Sequence, residues 1–128
     1  MIGAEGVAVL CNIKKKHSSH MLTGDIDLPA TAQAAEFFGA DGVIITGEVT
    51  GDPVEVETLG AVRAVTNLPI VVGSGATAEQ LPELFEYADM VIVGSYLKRD
   101  GLWSNELDEE RIRHFVEYAE RARINGTP

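Results

Sequence analysis

Gly73-Ser74-Gly75 is the part of this 128-residue sequence best suited to hold an anion. It stands between the apolar run Ile70-Val71-Val72 and the stretch Ala76-Thr77-Ala78-Glu79-Gln80. The backbone N–H groups of a small-residue turn can donate to a phosphate, and glycine lets the ligand approach the chain. Thr77, with Gln80 three residues on, has the spacing of a capping box. A helix is therefore expected to start there and aim its positive end at the same point. A second turn, Gly94-Ser95, follows Met90-Val91-Ile92-Val93, and a third apolar run, Val43-Ile44-Ile45-Thr46, ends at Gly47. Gly73, Ser74, Gly75, Gly94 and Ser95 form the expected phosphate-binding set. The plainer alternative is that these glycines only permit tight turns between strand and helix.

Other reactive side chains gather after two of the apolar runs. Lys14, Lys16 and His17 lie at or just beyond the end of the first run, residues 7–13. A lysine there could pair with an anion or, if desolvated, act as a base or Schiff-base former; a solvated cluster is the plainer reading. His17 could exchange protons near neutral pH. Thr46 and Glu48 end the second run, and Glu48 is a candidate general base or, more mildly, a partner for Lys16. Lys16, His17 and Glu48 are the catalytic candidates, with Asn12, Lys14 and Thr46 expected in the same pocket. His17 and His20 are three apart but lack a third ligand at zinc spacing, so neither a metal nor a cofactor is expected. Cys11 reads as core. Tyr96 and Trp103 fall on the last loop, over a ligand or simply packed. The remaining charged residues read as helix surface.

These groups need elements to position them. Strands are expected over residues 7–13, 42–46, 70–72 and 90–93. Alternation along the first puts Leu10, Asn12, Lys14 and Lys16 on one side and Val9, Cys11 and Ile13 on the other. Pro29 suits the first turn of a helix running to about Phe38, with Gly39 as its stop. Asp52-Pro53 gives a cap and first-turn pair for a helix over residues 54–66, and a third helix is expected over residues 78–87. Residues 98–105 read as a polar loop. Asp108 can cap a last helix to about Arg123, with Ile112, Phe115, Val116 and Ala119 as its stripe. Residues 124–128 should fray.

The order is β-α-β-α-β-α-β-α, with unbroken apolar strands of the kind found in parallel sheets covered by helices. A doubly wound sheet carries its glycine fingerprint in the first turn. Here the Gly-Ser endings follow the last two strands, as in (β/α)8 barrels that bind phosphate after strands seven and eight. The expected fold is α/β: the C-terminal half of a TIM barrel, with four parallel βα units read as strands five to eight in one domain over residues 1–128. A full barrel takes about 250 residues, so this half leaves two open edges and an open apolar face. It requires either a second copy, giving a homo-oligomer, or a missing N-terminal half-barrel.

Composition bounds the partners. The chain is 45% hydrophobic and carries a formal net charge of −10. An acidic surface disfavours a nucleic-acid binder and an anionic membrane. No apolar run is long enough for membrane insertion. The basic cluster Lys14-Lys15-Lys16 follows the first apolar run, the wrong order for a secretory signal, and the single cysteine excludes an internal disulfide. A cytoplasmic location is expected. An acidic chain with only four lysines also suits a high-salt cytoplasm, or is an ordinary acidic protein.

Several strings resemble the BtpA/SgcQ family over about residues 7–122. They are Lys16-His17, Ile45-Thr46-Gly47-Glu48-Val49-Thr50-Gly51, Val72-Gly73-Ser74-Gly75-Ala76-Thr77, and Val93-Gly94-Ser95-Tyr96-Leu97-Lys98-Arg99-Asp100-Gly101. The likeness is to the C-terminal half of a family member, with Asn12 where Asp is as readily expected. The resemblance implies a TIM barrel. It sets no biochemical activity, so the leading expectation, a protein that binds a phosphorylated small molecule, comes from the Gly-Ser loops, and the family name, from photosystem I biogenesis, implies the alternative of a non-catalytic assembly and biogenesis factor. A phosphoribosylanthranilate isomerase-like enzyme and a truncated remnant are further alternatives.

Overall fold

β-Branched residues dominate the strand segments, where stiff side chains pack well on a pleated surface. The computed structural model describes residues 3–14, 26–47 and 54–125. Its elements are β1 (Leu10–Lys14), α1 (Leu28–Phe37), β2 (Gly42–Ile45), α2 (Val56–Arg63), β3 (Ile70–Val72), α3 (Leu81–Leu84), β4 (Met90–Val91) and α4 (Glu109–Asn125). Two 3-10 turns, Ser95–Leu97 and Arg99–Gly101, link β4 to α4. All strand pairs are parallel, in the order β1-β2-β3-β4. Each strand thus lies beside its predecessor, with no reversal of the kind that defines a doubly wound sheet. The fold is a half-barrel of parallel βα units.

One face of the sheet carries the core. Val43, Ile45, Ile70 and Val72 are fully buried against Ala32 of α1, Leu59 and Val62 of α2 and Leu84 of α3. The register places Asn12, Ile44, Val71 and Met90 across the other face. That face is partly open: Leu10 is 39% exposed, Met90 44% and Ile92 51%. A parallel sheet normally has both faces covered.

The ends of the elements depart from the sequence reading in ways that have local causes. Strand β1 begins at Leu10, because β2 offers partners only from Gly42 onward; Val9 bonds instead to Asp41. A register shift between Asn12 and Lys14 breaks the simple alternation. Helix α1 is capped by Asp27, whose Oδ1 accepts from Ala30 N at 2.7 Å, and Gly39 follows it with φ 83° as expected. Helix α2 is shorter than expected, and its proposed cap, Asp52-Pro53, lies outside the described residues.

Helix α3 is the largest correction, one turn in place of residues 78–87. Ala78, Glu79 and Gln80 form a turn instead, with Leu81 N donating to Ala78 O. Pro82 has no N–H to extend a ladder backward. Half of the capping box survives, as Gln80 Oε1 accepts from Thr77 N at 3.2 Å. Strand β4 stops at Val91, before Ile92-Val93. Asp108 caps α4 as expected, its Oδ1 accepting from the N–H groups of Glu110 and Arg111. Phe115 and Ala122 are the buried line of α4, whereas Val116 is 49% exposed and leaves the expected stripe. Among the described residues no helix is long and apolar enough to cross a membrane.

Candidate functional site

Parallel strands of consecutive order deliver every βα loop to the same end of the sheet. The loops after β3 and β4 are therefore neighbours, and between them lies a cleft of about 320 Å³. Gly73, Ser74, Gly75, Gly94 and Ser95 all line it, so the structure brings together the five residues expected to meet a phosphate. Gly75 turns the chain with φ 80°, a backbone region that L side chains rarely adopt.

The donors divide into used and unused. Gly73 N–H closes the sheet ladder, donating to Ile45 O at 2.7 Å. The backbone N–H groups of Ser74, Gly75, Gly94 and Ser95 meet no acceptor among the described residues. Ser74 Oγ is shut away from solvent and also lacks a partner among them. Polar groups at a buried site are normally paired, and an unpaired one costs about 1–3 kcal/mol. Two loops carrying four N–H donors without an acceptor among the described residues suit an acceptor-rich ligand. The helix dipole expected behind Thr77 contributes nothing, because α3 starts only at Leu81 and spans four residues.

The cation of the cleft is Arg111, which the sequence reading left on the helix surface. Asp108 sets the first turn of α4 directly after the last loop, and Arg111, three residues on, points back over that loop. Its Nε donates to Tyr96 O at 2.5 Å, and its guanidinium lies 4.6 Å from the centre of the Tyr96 ring. The signal was present as an N-cap aspartate followed three residues later by arginine.

At the rim, Tyr96 Oη donates to Glu79 Oε1 at 3.3 Å, and His114 Nε2 stands 3.5 Å from the same oxygen. The Glu79 carboxyl is held below its ordinary range by a hydrogen bond from its own backbone and then by the Thr77 side chain, with His114 and Tyr96 adding to them. Burial, followed by the Glu79 charge, pushes the Tyr96 phenol up. Tyr96 therefore packs, with Phe115 on one side and Arg111 over its ring. Trp103 is exposed and does not line the cleft.

Of the other candidates, those among the described residues lie apart from the cleft. Lys16, His17 and Glu48 lie outside the described residues. Thr46 is buried and spends its hydroxyl on Lys14 O, bracing the irregular end of β1 against β2. The Asn12 carboxamide, with its nitrogen turned inward, donates to Lys14 O at 2.8 Å and Ile44 O at 3.3 Å. Asn12, Lys14 and Thr46 thus share one strand end but do not line the cleft. Cys11 is partly buried. Among the described residues no group of three or more His, Cys, Asp or Glu side chains could hold a metal ion.

Comparison with known proteins adds relatives to this geometry. A mitochondrial protein of Caenorhabditis elegans, itself uncharacterised, is 41% identical over 115 residues, covering 90% of this chain and 41% of its own length. An uncharacterised protein of Thermococcus kodakarensis is 39% identical, covering 91% of this chain and 44% of its own. The photosystem I biogenesis protein BtpA of Synechocystis is 35% identical over 112 residues, 87% of this chain and 39% of that protein. The chain thus spans about two fifths of the length of these curated relatives. Among solved structures, (S)-3-O-geranylgeranylglyceryl phosphate synthase of Thermoplasma acidophilum, in complex with sn-glycerol-1-phosphate, superposes with a TM-score of 0.55. It is 23% identical, covering 73% of this chain and 37% of that one, and speaks for the fold alone. The BtpA family pattern matches residues 1–121, and on that match this chain belongs to the BtpA family.

Proposed function

We propose that this chain binds a phosphorylated small molecule between the loops after β3 and β4. The observation that carries the reading is a set of donors without an acceptor among the described residues: four backbone N–H groups and the Ser74 hydroxyl around one cleft. A phosphate offers several acceptor oxygens to such a set without needing a helix end. The sn-glycerol-1-phosphate in the Thermoplasma synthase belongs to that protein, and it lends support because the folds are alike.

The four strands are read as the last four of an eight-stranded barrel. The open face and the free edges of β1 and β4 call for another half, from a second copy or a separate first half-barrel. Lys16 and His17, which follow β1 in sequence, and Glu48, which follows β2, remain the proposed catalytic set. No reaction is specified by them.

Isothermal titration with inorganic phosphate and sn-glycerol 1-phosphate tests the reading. Binding by the wild type, abolished in Ser74→Asp through like-charge repulsion, is the expected result. No heat with either probe, on protein shown to be folded, would remove the phosphate reading. A biogenesis factor without a ligand, the role carried by the Synechocystis relative's name, would then stand in its place.

A further inference from the structure

We infer that Arg111 reads the charge of the ligand, selecting a doubly charged phosphate monoester over a singly charged phosphodiester. The inference rests on the phosphate reading above and adds to it the class of phosphate that the cleft accepts.

The chain carries 20 acidic residues against 10 lysines and arginines, so carboxylate partners are plentiful in it. Arg63 pairs with Asp89, and Arg99 with Glu106. Arg111, like the exposed Arg113 and Arg121, has no carboxylate at ion-pair distance among the described residues, but of these three it is the one that lines the cleft. The side chain is not loose. One nitrogen, Nε, is committed to Tyr96 O at 2.5 Å, and the planar group is stacked on the Tyr96 ring. The backbone beneath it is tied to Asp108 Oδ1 at 3.1 Å. The two terminal nitrogens make no such commitment among the described residues. A guanidinium held by its inner edge presents its outer edge, and that edge matches the spacing of phosphate oxygens.

Gly101, with φ 69°, lies beside the guanidinium, where a Cβ would make an ordinary contact with Nη2 at 3.5 Å. Independently of the arginine, the backbone N–H groups of Ser74, Gly75, Gly94 and Ser95, which meet no acceptor among the described residues, mark the same cleft as a place for an acceptor. Neutral N–H donors grip any phosphate, whereas a fixed full charge distinguishes one negative charge from two. Arg111 supplies that distinction.

The test is a titration of wild type, Arg111→Gln and Arg111→Lys with sn-glycerol 1-phosphate and with dimethyl phosphate. Wild type should prefer the monoester by at least about tenfold, the scale of a charge-assisted contact. Arg111→Gln should lose roughly tenfold to a hundredfold for the monoester and little for the diester, so that the preference collapses. Arg111→Lys, which keeps the charge but not the fork, should keep the preference and bind several-fold more weakly. A purely structural arginine would change melting temperature and leave the preference intact. Should Arg111→Gln not fold, Arg111→Lys carries the test: loss of the preference there, or wild-type affinity, overturns the inference. Monoester binding lost in Ser74→Asp but unchanged in Arg111→Gln would overturn the role of Arg111 and leave the phosphate site standing. Failure of wild type to bind either probe would instead overturn the site itself.

Discussion

Gly73 and Thr46 meet at the ends of neighbouring strands, so closely that a Cβ on Gly73 would overlap the Thr46 methyl. The same Cβ would stand 2.8 Å from Ile44 Cγ2. Gly73 is thus required by packing before any ligand is considered, and it sits where the chain leaves the sheet for the cleft. Gly73→Ala should destabilise the fold by about 1–3 kcal/mol, the usual cost of overpacking. Gly94 has open space around it, and a Cβ there would meet nothing within 4 Å. Gly94→Ala should therefore cost clearly less. Thermal melts of the two variants side by side check this; equal losses would mean that the crowding at Gly73 relaxes freely.

Arg63 fastens the far end of the same strands. Its Nε and Nη2 donate to Tyr87 O, its Nη1 to Leu68 O, and its Nη2 meets Asp89 Oδ2 at 2.5 Å. Asp89 Oδ2 also accepts from Ile70 N at 2.8 Å, so one carboxylate joins the helix-side arginine to the start of β3. Partial exposure of the pair limits its Coulombic worth, and the hydrogen bonds to backbone carbonyls supply most of the effect. Arg63→Ala should cost about 1–3 kcal/mol by urea denaturation. Arg63→Lys should recover little, because an ammonium cannot span three acceptors. Wild-type stability in Arg63→Lys would reduce the contact to a simple ion pair.

The framework of this site was legible in the sequence, and its edges were not. Runs such as Ile70-Val71-Val72 and the Gly-Ser pairs after them announce strand and turn through composition alone, and both turns do line one cleft. Thr77 and Gln80 have capping-box spacing and even share a hydrogen bond, yet the helix is displaced by Pro82 to begin at Leu81. A local pattern lost there to the backbone demands of a proline that the same pattern ignores. Arg111 was missed for a different reason. On an amphipathic helix an arginine reads as surface, and only the path of the preceding loop brings Tyr96 beneath it. Asn12 and Thr46 were expected in the pocket because alternation assumes a regular strand, and the irregularity between Asn12 and Lys14 takes up their polar groups instead.

Acid should loosen the rim of the cleft. The folded Glu79 carboxyl has a lowered pKa, through hydrogen bonds from its own backbone and then from Thr77. The folded state therefore binds fewer protons than the unfolded state in the titration range of this group. Stability from Glu79 is then complete above its ordinary value of 4.5 and is lost as pH falls through the lower folded value. Glu79 is largely exposed, so the effect is small. Unfolding free energies followed from pH 6 down to about pH 3 should fall less steeply in Glu79→Gln than in wild type. Identical slopes would show that the contacts from Thr77, Tyr96 and His114 do not favour the charged form in solution. Tyr96 has the opposite sense: its raised pKa favours the neutral phenol, so its contribution is lost only in alkali, above its ordinary value of 10.0.

The open face makes the strongest demand on assembly. Leu10, Met90 and Ile92 lie on the side of the sheet away from the helices, and β1 and β4 each have one edge without a partner strand among the described residues. Parallel strands lose heavily from such exposure, since neither backbone edge nor apolar face is satisfied by water as well as by protein. A second half-barrel related by a twofold axis along the barrel would pair β4 of one half with β1 of the other at both seams. It would also wall the cleft on the β4 side. By analytical ultracentrifugation the wild type is expected to sediment above the mass of one chain, and Ile92→Glu to fall to it. Leu10→Glu, on the β1 side of the same symmetric seams, should do the same, because a closed ring fails from either side of a seam. A wild type that sediments as one chain at every concentration would rule out self-closure. The complementary half must then come from a first half-barrel, carried on a longer form of this chain or on another polypeptide, and co-purification with the first half of a longer relative becomes the decisive measurement.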